Sequence, residues 1–544
     1  MKSVRKKKLH KKVRYLLFEK DIQFSLPLSF FSHYRYFFLL LFLYVLTRII
    51  NLTILPIFTD ESLYLRWGWL EVQSNNWFIP LYDGKQPILT WAFGYAQVYF
   101  ADPLYGARSI SIVTGLLTLL GIFKIGTSFF SKKFALIAGL FYIVISVFVF
   151  YDRMALMESS ISMIGIWSCY LFLSLVRNPK VLTAILLGEV FGIGLFDKSD
   201  TGIFLATTGI LGGLVGFKYM QRKERKYFFL MLCLSLFFCI FILLPLLMQK
   251  NVYNIISDNT RYAYTFPQLF YNFFPILTKN INATFFLLWG YLTPIPFLLS
   301  IGGIIYFLRS KEIYSSYSDL QPKRLSKQNN EKYNNRSIYT KLLVGWFLLP
   351  LLFFILFTVH PIDRYIVVFL PVTTFFCAYA FLWLAQRFRN NVYHIALFLI
   401  TFFIPLILTG CLLFSPVTYF SLLHIFTPVV DPGYTQIPSG YGIPETRNYL
   451  LQLAKNEAIA VYVQEGSGNP EDAIYDYLGE KPIHNITVLS TFQNTACSQP
   501  QIFYTKSYFI SEGDSINTSC MINLKKFYRP IGKTFVGVYQ ITPH

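Results

Sequence analysis

Asp60 and Glu61 follow Thr59 at the end of a long apolar run, and Lys85 comes soon after in Gly84-Lys85-Gln86-Pro87. A carboxylate held at a bilayer edge can take a proton from a hydroxyl, and an ammonium group near it can neutralise a departing phosphate. Further charged groups recur at intervals. Asp152 and Arg153 precede Glu158, Asp197-Lys198-Ser199-Asp200 forms a short link, and Asp363-Arg364-Tyr365 follows His360-Pro361. Each group taken alone reads equally well as a helix cap, an acidic first turn or a solvated link. Thr59, for instance, is placed to cap a helix while Asp60 reacts. Asp60 and Glu158 are also the two carboxylates that could share Mg²⁺ or Mn²⁺, hard ions that prefer oxygen ligands. What raises these groups above their bland readings is that all fall in connections on one side of a series of apolar segments.

Those segments dominate the chain. Of its 544 residues 54% are hydrophobic and 14% charged, where a globular chain has about a quarter charged. Mean hydropathy is +0.46. This excludes a soluble enzyme, a fibre and a disordered scaffold. Eleven hydrophobic spans are predicted, near residues 36–57, 107–126, 134–150, 159–176, 181–196, 201–217, 227–248, 283–308, 342–359, 366–384 and 392–414. On one side, the segments 1–35, 127–133, 177–180, 218–226, 309–341 and 385–391 carry 29 Lys and Arg against 6 Asp and Glu. The opposite connections carry 8 basic and 11 acidic residues. The positive-inside rule then predicts a multi-pass protein of the cell membrane, with a cytoplasmic N-terminus and an extracytoplasmic C-terminus. The net charge of +20 is thereby explained without nucleic acid. The basic arm 1–35 orients the chain and rests on anionic lipid. No cleavable signal peptide is expected, since the first apolar run is long enough to span.

Outside the membrane three features stand out. The first outer loop, 58–106, reads as two amphipathic pieces, 61–74 and 87–100, with Trp67, Trp69, Trp77 and Trp91 suited to the interface. A second outer loop covers 249–282, and the polar cytoplasmic loop 309–341 carries no identifiable chemistry. The tail 415–544 is long enough for a small α/β domain, with helices near 446–456 and 470–478 and strands near 458–463, 502–505 and 534–541. Cys497 and Cys520 lie in that tail, where oxidising conditions permit a disulfide; the other five cysteines lie in spans. Glu189 sits mid-span, where a charge is costly, and Arg48 at comparable depth is its expected partner.

The order of these elements resembles the GT-C glycosyltransferases, in the branch of protein O-mannosyltransferases and lipid A aminoarabinose transferases. The resemblance spans about residues 36–385. It rests on Thr59-Asp60-Glu61-Ser62-Leu63-Tyr64, then Gly84-Lys85-Gln86-Pro87, Arg153 through Glu158, the Lys198 turn and the Arg364-Tyr365 turn. It implies an all-α GT-C-like membrane domain over 36–414, with the α/β domain following. The implied activity is inverting transfer of a hexose or pentose from a polyprenyl-phosphate-linked donor to a lipid, glycan or protein acceptor on the outer face. Asp60 would be the catalytic carboxylate, with Glu61 and Glu158 beside it. Lys85, Arg261, Lys198, Arg364 and Tyr365 would meet the donor phosphate. The chain reads Glu158 where the family usually has aspartate, and Asp197-Lys198-Ser199 where it commonly has Thr-Lys-Gly. The alternative is a transporter or flippase of lipid-linked sugars, against which stands the absence of an internal sequence repeat.

Overall fold

The computed structural model describes residues 28–309, 336–388, 390–479, 485–492, 506–513 and 520–542, which form a helical bundle with a small sheet domain at one end. Most of the basic arm and of the 309–341 loop lie outside the described residues. Six helices among those described are long and apolar enough to cross a membrane: Pro103–Phe130, Glu158–Arg177, Thr201–Tyr219, Arg222–Leu247, Ile338–Phe357 and Asn391–Phe414. Phe273–Leu292 and Pro294–Arg309 make a seventh if their bend of 112° is taken as one broken span. The chain is thus a multi-pass membrane protein, but the eleven expected spans are not eleven unbroken helices.

The reasons are local. The 134–150 run divides at Ile145, whose extended backbone separates Lys132–Val144 from Ser146–Tyr151. The 283–308 run turns at Thr293, with φ of 65°, just before Pro294, which has no N–H with which to continue the ladder. The 366–384 run opens as a short helix, Asp363–Val367, and a 3₁₀ turn containing Pro371, before Thr373–Arg387. Val181–Asp197 is helical over 17 residues, and Leu28–Ile49 over 22.

The first outer loop folds as two helices, Thr59–Ser74 and Ile88–Tyr99. They pack so closely that a Cβ on Gly68 would strike Thr90 O and the Gly94 backbone, and one on Gly94 would strike Gly68. A 3₁₀ turn, Ile79–Asp83, joins them and ends at Gly84, whose φ of 68° suits glycine. Glu71 is fully buried on the inner side of the first of these helices. Burial pushes its carboxyl up to about 8, and neither of its oxygens accepts a hydrogen bond among the described residues, since the Thr90 hydroxyl and the Trp91 indole donate instead to the carbonyls of Pro87 and Trp77. The native state therefore holds a proton that the unfolded chain, with an ordinary carboxyl near ~4.3, gives up. That contribution to stability is complete below pH ~4.3 and is lost as pH rises to about 8. Glu71→Gln is expected to flatten the fall in melting temperature between pH 5 and 8; a variant that falls as steeply as the parent protein refutes this.

Three buried arginines shape the chain between the first helix and Asp60. Arg153 donates to the carbonyls of Thr47, Arg48, Ile50 and Asn51, closing the end of the Leu28–Ile49 helix. Arg48 binds Asp152, with Nη2–Oδ2 at 3.0 Å, and the carbonyls of Tyr142 and Ile143. The expected Arg48–Glu189 pair does not form. The first helix packs on Pro103–Ile125 and Lys132–Val144, while Glu189 rides on Val181–Asp197, which packs on Arg222–Leu247. Asp152 is further saturated by the hydroxyls of Tyr142 and Ser159, at 2.9 and 3.1 Å. Arg108 donates to the carbonyls of Leu52 and Leu55 and makes a two-pronged pair with Glu61.

The C-terminal sheet has five strands: β1 (Ile459–Gln464), β2 (Ile486–Thr491), β3 (Lys506–Gly513), β4 (Met521–Tyr528) and β5 (Phe535–Ile541). Their order is β2-β1-β3-β5-β4, with β1 parallel to β2 and β3 and the remaining pairs antiparallel. The expected 446–456 helix is Ile443–Leu453, and that at 470–478 shrinks to Glu471–Ile474 followed by a wider turn to Gly479. The strand expected at 502–505 lies outside the described residues. The tail's first helix, Pro416–Phe426, packs on Asn391–Phe414 and Phe273–Leu292, so the start of the tail joins the bundle. Cys520 is disulfide-bonded, while Cys497 lies outside the described residues; the five cysteines of the apolar helices are free.

Candidate active site

Four separate connections deliver charged side chains to one network. Asp60 lies in the first turn of Thr59–Ser74, Glu158 opens Glu158–Arg177, Lys198 follows Val181–Asp197, and Arg364 lies in Asp363–Val367. The Arg364 guanidinium bridges the two carboxylates. Its Nη1 donates to Asp60 Oδ2 and its Nε to Glu158 Oε1 at 3.1 Å. Lys198 Nζ donates to the same Glu158 oxygen at 2.9 Å and meets Asp200 Oδ2 at 3.0 Å. Burial alone would lower the Lys198 ammonium, but Asp200 and Glu158 outweigh it and raise it above its usual value. Arg364 follows the same pattern: burial opposes the charge, and Glu158 and Asp60 more than restore it. Both cations therefore stay charged across the physiological range.

Exposure separates the two acids. The Asp60 side chain is 32% exposed and the Glu158 side chain 0%, so only Asp60 can touch a substrate directly. Glu61, its neighbour in sequence, points the other way. It is fully buried, accepts from Arg108 at 2.7 and 2.8 Å, and accepts from the backbone N–H groups of Phe58 and Ala155. Glu61, not Thr59, thus caps the helix, reaching back to Phe58 N. Helical geometry turns successive side chains about 100° apart, which is why one acid faces the site and the next faces the core.

Lys85 joins the network from its far side. Its ammonium is paired with Asp258 and lies 5.2 Å from the centre of the Tyr262 ring. Tyr262 packs on Tyr365, with ring centres 6.3 Å apart, and Lys198 Nζ lies 5.5 Å from the Tyr365 ring centre. Gln86 donates to Ser199 Oγ at 2.6 Å, and Asn259 donates to the same oxygen at 2.9 Å. Arg261 meets Asp258 at 3.5 Å and is the most exposed of these cations. Asp363, next to Arg364, is fully buried and accepts from Tyr291 at 2.7 Å. Burial pushes its carboxyl up to about 6, partly offset by that hydrogen bond. Asp363 thus anchors the turn that projects Arg364 and Tyr365.

Asp60, Glu158, Lys198, Arg364, Tyr365, Lys85 and Arg261 are brought into one connected region, and Glu61 is set apart from it. The sequence reading gave no role to Asp258, Tyr262, Gln86, Ser199 or Asn259. Gln86 and Ser199 adjoin residues it did select, but nothing local signals that the 253–262 stretch reaches Lys85. A divalent ion does not suit the donor set: the place between Asp60 and Glu158 is taken by a guanidinium, with an ammonium beside it. Among the described residues, no group of three or more His, Cys, Asp or Glu is placed to hold a metal ion.

Residues 85–248 match the family model described as dolichyl-phosphate-mannose-protein mannosyltransferase. No curated protein matches the chain in sequence. Among solved structures, ArnT from Cupriavidus metallidurans in the apo state is similar, with a TM-score of 0.58 at 12% identity over 93% of this chain and 98% of that one. ArnT from the same organism bound to undecaprenyl phosphate gives 0.55 at 13% identity, with the same coverage. The archaeal oligosaccharyltransferase AglB from Archaeoglobus fulgidus, in complex with an inhibitory peptide and a dolichol-phosphate, gives 0.44 at 13% identity over 89% of this chain and 70% of that one. The resemblance read from the sequence is borne out by the family match over 85–248 and by an ArnT-like fold.

Proposed function

We propose that this protein is a membrane glycosyltransferase that moves a sugar from a polyprenyl-phosphate carrier to an acceptor, with inversion. The observation that carries this reading is the convergence of Asp60, Glu158, Lys198 and Arg364 from four connections into one bonded network, with Lys85 at its edge. The family match over 85–248, the ArnT-like fold and the undecaprenyl phosphate bound by one ArnT structure support the same donor class. On the charge bias of the connections, the site and the C-terminal domain lie on the outer face of the cell membrane and the N-terminus in the cytoplasm. That topology agrees with the chemistry, because a lipid carrier delivers sugar where nucleotide donors are not made.

In the transfer step the acceptor hydroxyl gives its proton to Asp60 as its oxygen bonds to the anomeric carbon. The bond from that carbon to the carrier phosphate oxygen breaks on the opposite face, and the phosphate leaves with the electron pair. Lys85 and Lys198 meet the charge that grows on it, with Arg261 at the rim. Arg364 orients Asp60, while Glu158 holds Arg364 and Lys198 in register. Glu61 acts through the backbone, fixing the helix that carries Asp60. A lipid, glycan or protein acceptor fits this step, and no divalent ion is needed for it.

Lys85 gives a direct test. Removing a charged donor to phosphate costs about 1.5–3 kcal/mol, or roughly tenfold or more in affinity, and leaves Asp258 to repel the anion. Lys85→Ala is expected to weaken binding of undecaprenyl phosphate at least tenfold in native mass spectrometry of the purified protein. Unchanged affinity removes Lys85 from the donor site. Mass spectrometry of membrane lipids and surface glycans, with and without the protein, tests the activity itself: loss of a glycosylated species supports it, and identical profiles overturn it.

A further inference from the structure

The C-terminal domain touches the membrane bundle beside the residue on which the chemistry depends. Its 468–472 turn lies against the 57–66 segment that bears Asp60. The Asn469 backbone N–H donates to Thr59 Oγ1 at 3.1 Å, and its side-chain amide donates to Ile57 O at 3.0 Å and Pro438 O at 3.1 Å. Asn469 is therefore bonded to both residues that flank Phe58, and Thr59 immediately precedes Asp60. Two turns further along the same helix, Arg66 Nη1 meets Asp472 Oδ1 at 2.7 Å and Glu471 Oε1 at 3.3 Å, and its guanidinium lies 3.9 Å from the centre of the Tyr475 ring. The turn is itself braced: Gly468 N donates to Asp472 Oδ2 and Gly466 N to Glu471 Oε2, at 2.6 and 2.7 Å.

The fit is close as well as polar. A Cβ on Gly468 would overlap Thr59 Oγ1, and one on Gly440 would overlap the Ile57 carbonyl. Phe58 packs on Tyr434, with ring centres 4.9 Å apart. Asp60 thus sits on a backbone gripped at 57–59 and again at Arg66 by residues more than 360 positions away, while its own carboxylate reaches out to Arg364.

We infer that the 468–472 turn is a positioning device for Asp60, with Asn469 as its main residue and the Arg66–Asp472 pair as its second grip. The C-terminal domain on this view is part of the transfer machinery. Reaction rates fall steeply when a catalytic group is misplaced by about 1 Å, even if every substrate contact survives. The inference rests on the catalytic role proposed for Asp60, so its test carries a second readout that is independent of transfer.

Asn469→Ala and Arg66→Met are made separately in the full chain and purified in detergent. Hydrogen exchange by mass spectrometry is expected to rise at least tenfold in peptides covering 57–66, with the Glu158–Arg177 helix unchanged. Transfer of mannose from undecaprenyl-phosphate mannose, or the glycan product in cells, is expected to fall at least tenfold. Affinity for undecaprenyl phosphate should stay within twofold of the parent protein, a split that general destabilisation would not give. Unaltered exchange over 57–66 in both variants overturns the grip. Raised exchange with undiminished transfer overturns its positioning role. Identical glycan profiles with and without the parent protein instead sink the proposed function, and exchange over 57–66 still decides whether the turn holds the segment.

Discussion

Asp60→Asn is expected to abolish sugar transfer while leaving the fold and the lipid phosphate site intact. Asparagine keeps the shape and can still accept a hydrogen bond from Arg364, but it cannot take the acceptor's proton. Loss of a general base costs about 100- to 10,000-fold in rate. The side chain is 32% exposed, so losing its charge leaves no sealed cation behind, and Arg364 keeps Glu158 at 3.1 Å. Protein abundance and undecaprenyl phosphate affinity should therefore match the parent protein. Turnover within tenfold of the parent would remove Asp60 as the base.

Glu158→Gln is expected to fail differently. Glu158 has no exposed side-chain surface and one of its oxygens serves both Arg364 and Lys198. Removing one partner of a buried ion pair typically costs about 3–5 kcal/mol, because the remaining charge is left without compensation. Lys198 retains Asp200 and Arg364 retains Asp60, so the protein should fold but melt at lower temperature. Transfer should fall as well, since Arg364 no longer has a fixed seat from which to orient Asp60. A Glu158→Gln protein with the parent's melting temperature would show that the buried pairs contribute little; one that melts lower yet transfers normally would free Glu158 from any role in the site. The contrast between the two variants separates an acid that reacts from an acid that organises.

Much of this was legible in residue order. Apolar runs and the basic bias of alternate connections identify a membrane bundle, because bilayer thickness and charge cost act on composition alone. The two helices of the first outer loop follow from their periodicity and the Gly84 turn. Continuity of the spans was not legible: Ile145, Thr293 and the Asp363–Val372 stretch interrupt runs whose hydropathy gives no warning. Strands β2, β3 and β4 of the tail were missed as well, since their stability comes from β1 and β5 across the sheet.

Within the site, the chain itself determined which residue types could react and that they fall in connections on one side of the apolar runs. It did not determine which carboxylate faces which cation. Asp60 and Glu61 are adjacent and chemically alike, yet one meets Arg364 and the other Arg108. Arg48 takes Asp152 in place of Glu189. Lys85 meets an acid 173 positions away. Such pairings belong to the packing of helices that are distant in sequence, where desolvation makes every buried charge find a partner and only the folded neighbours supply it.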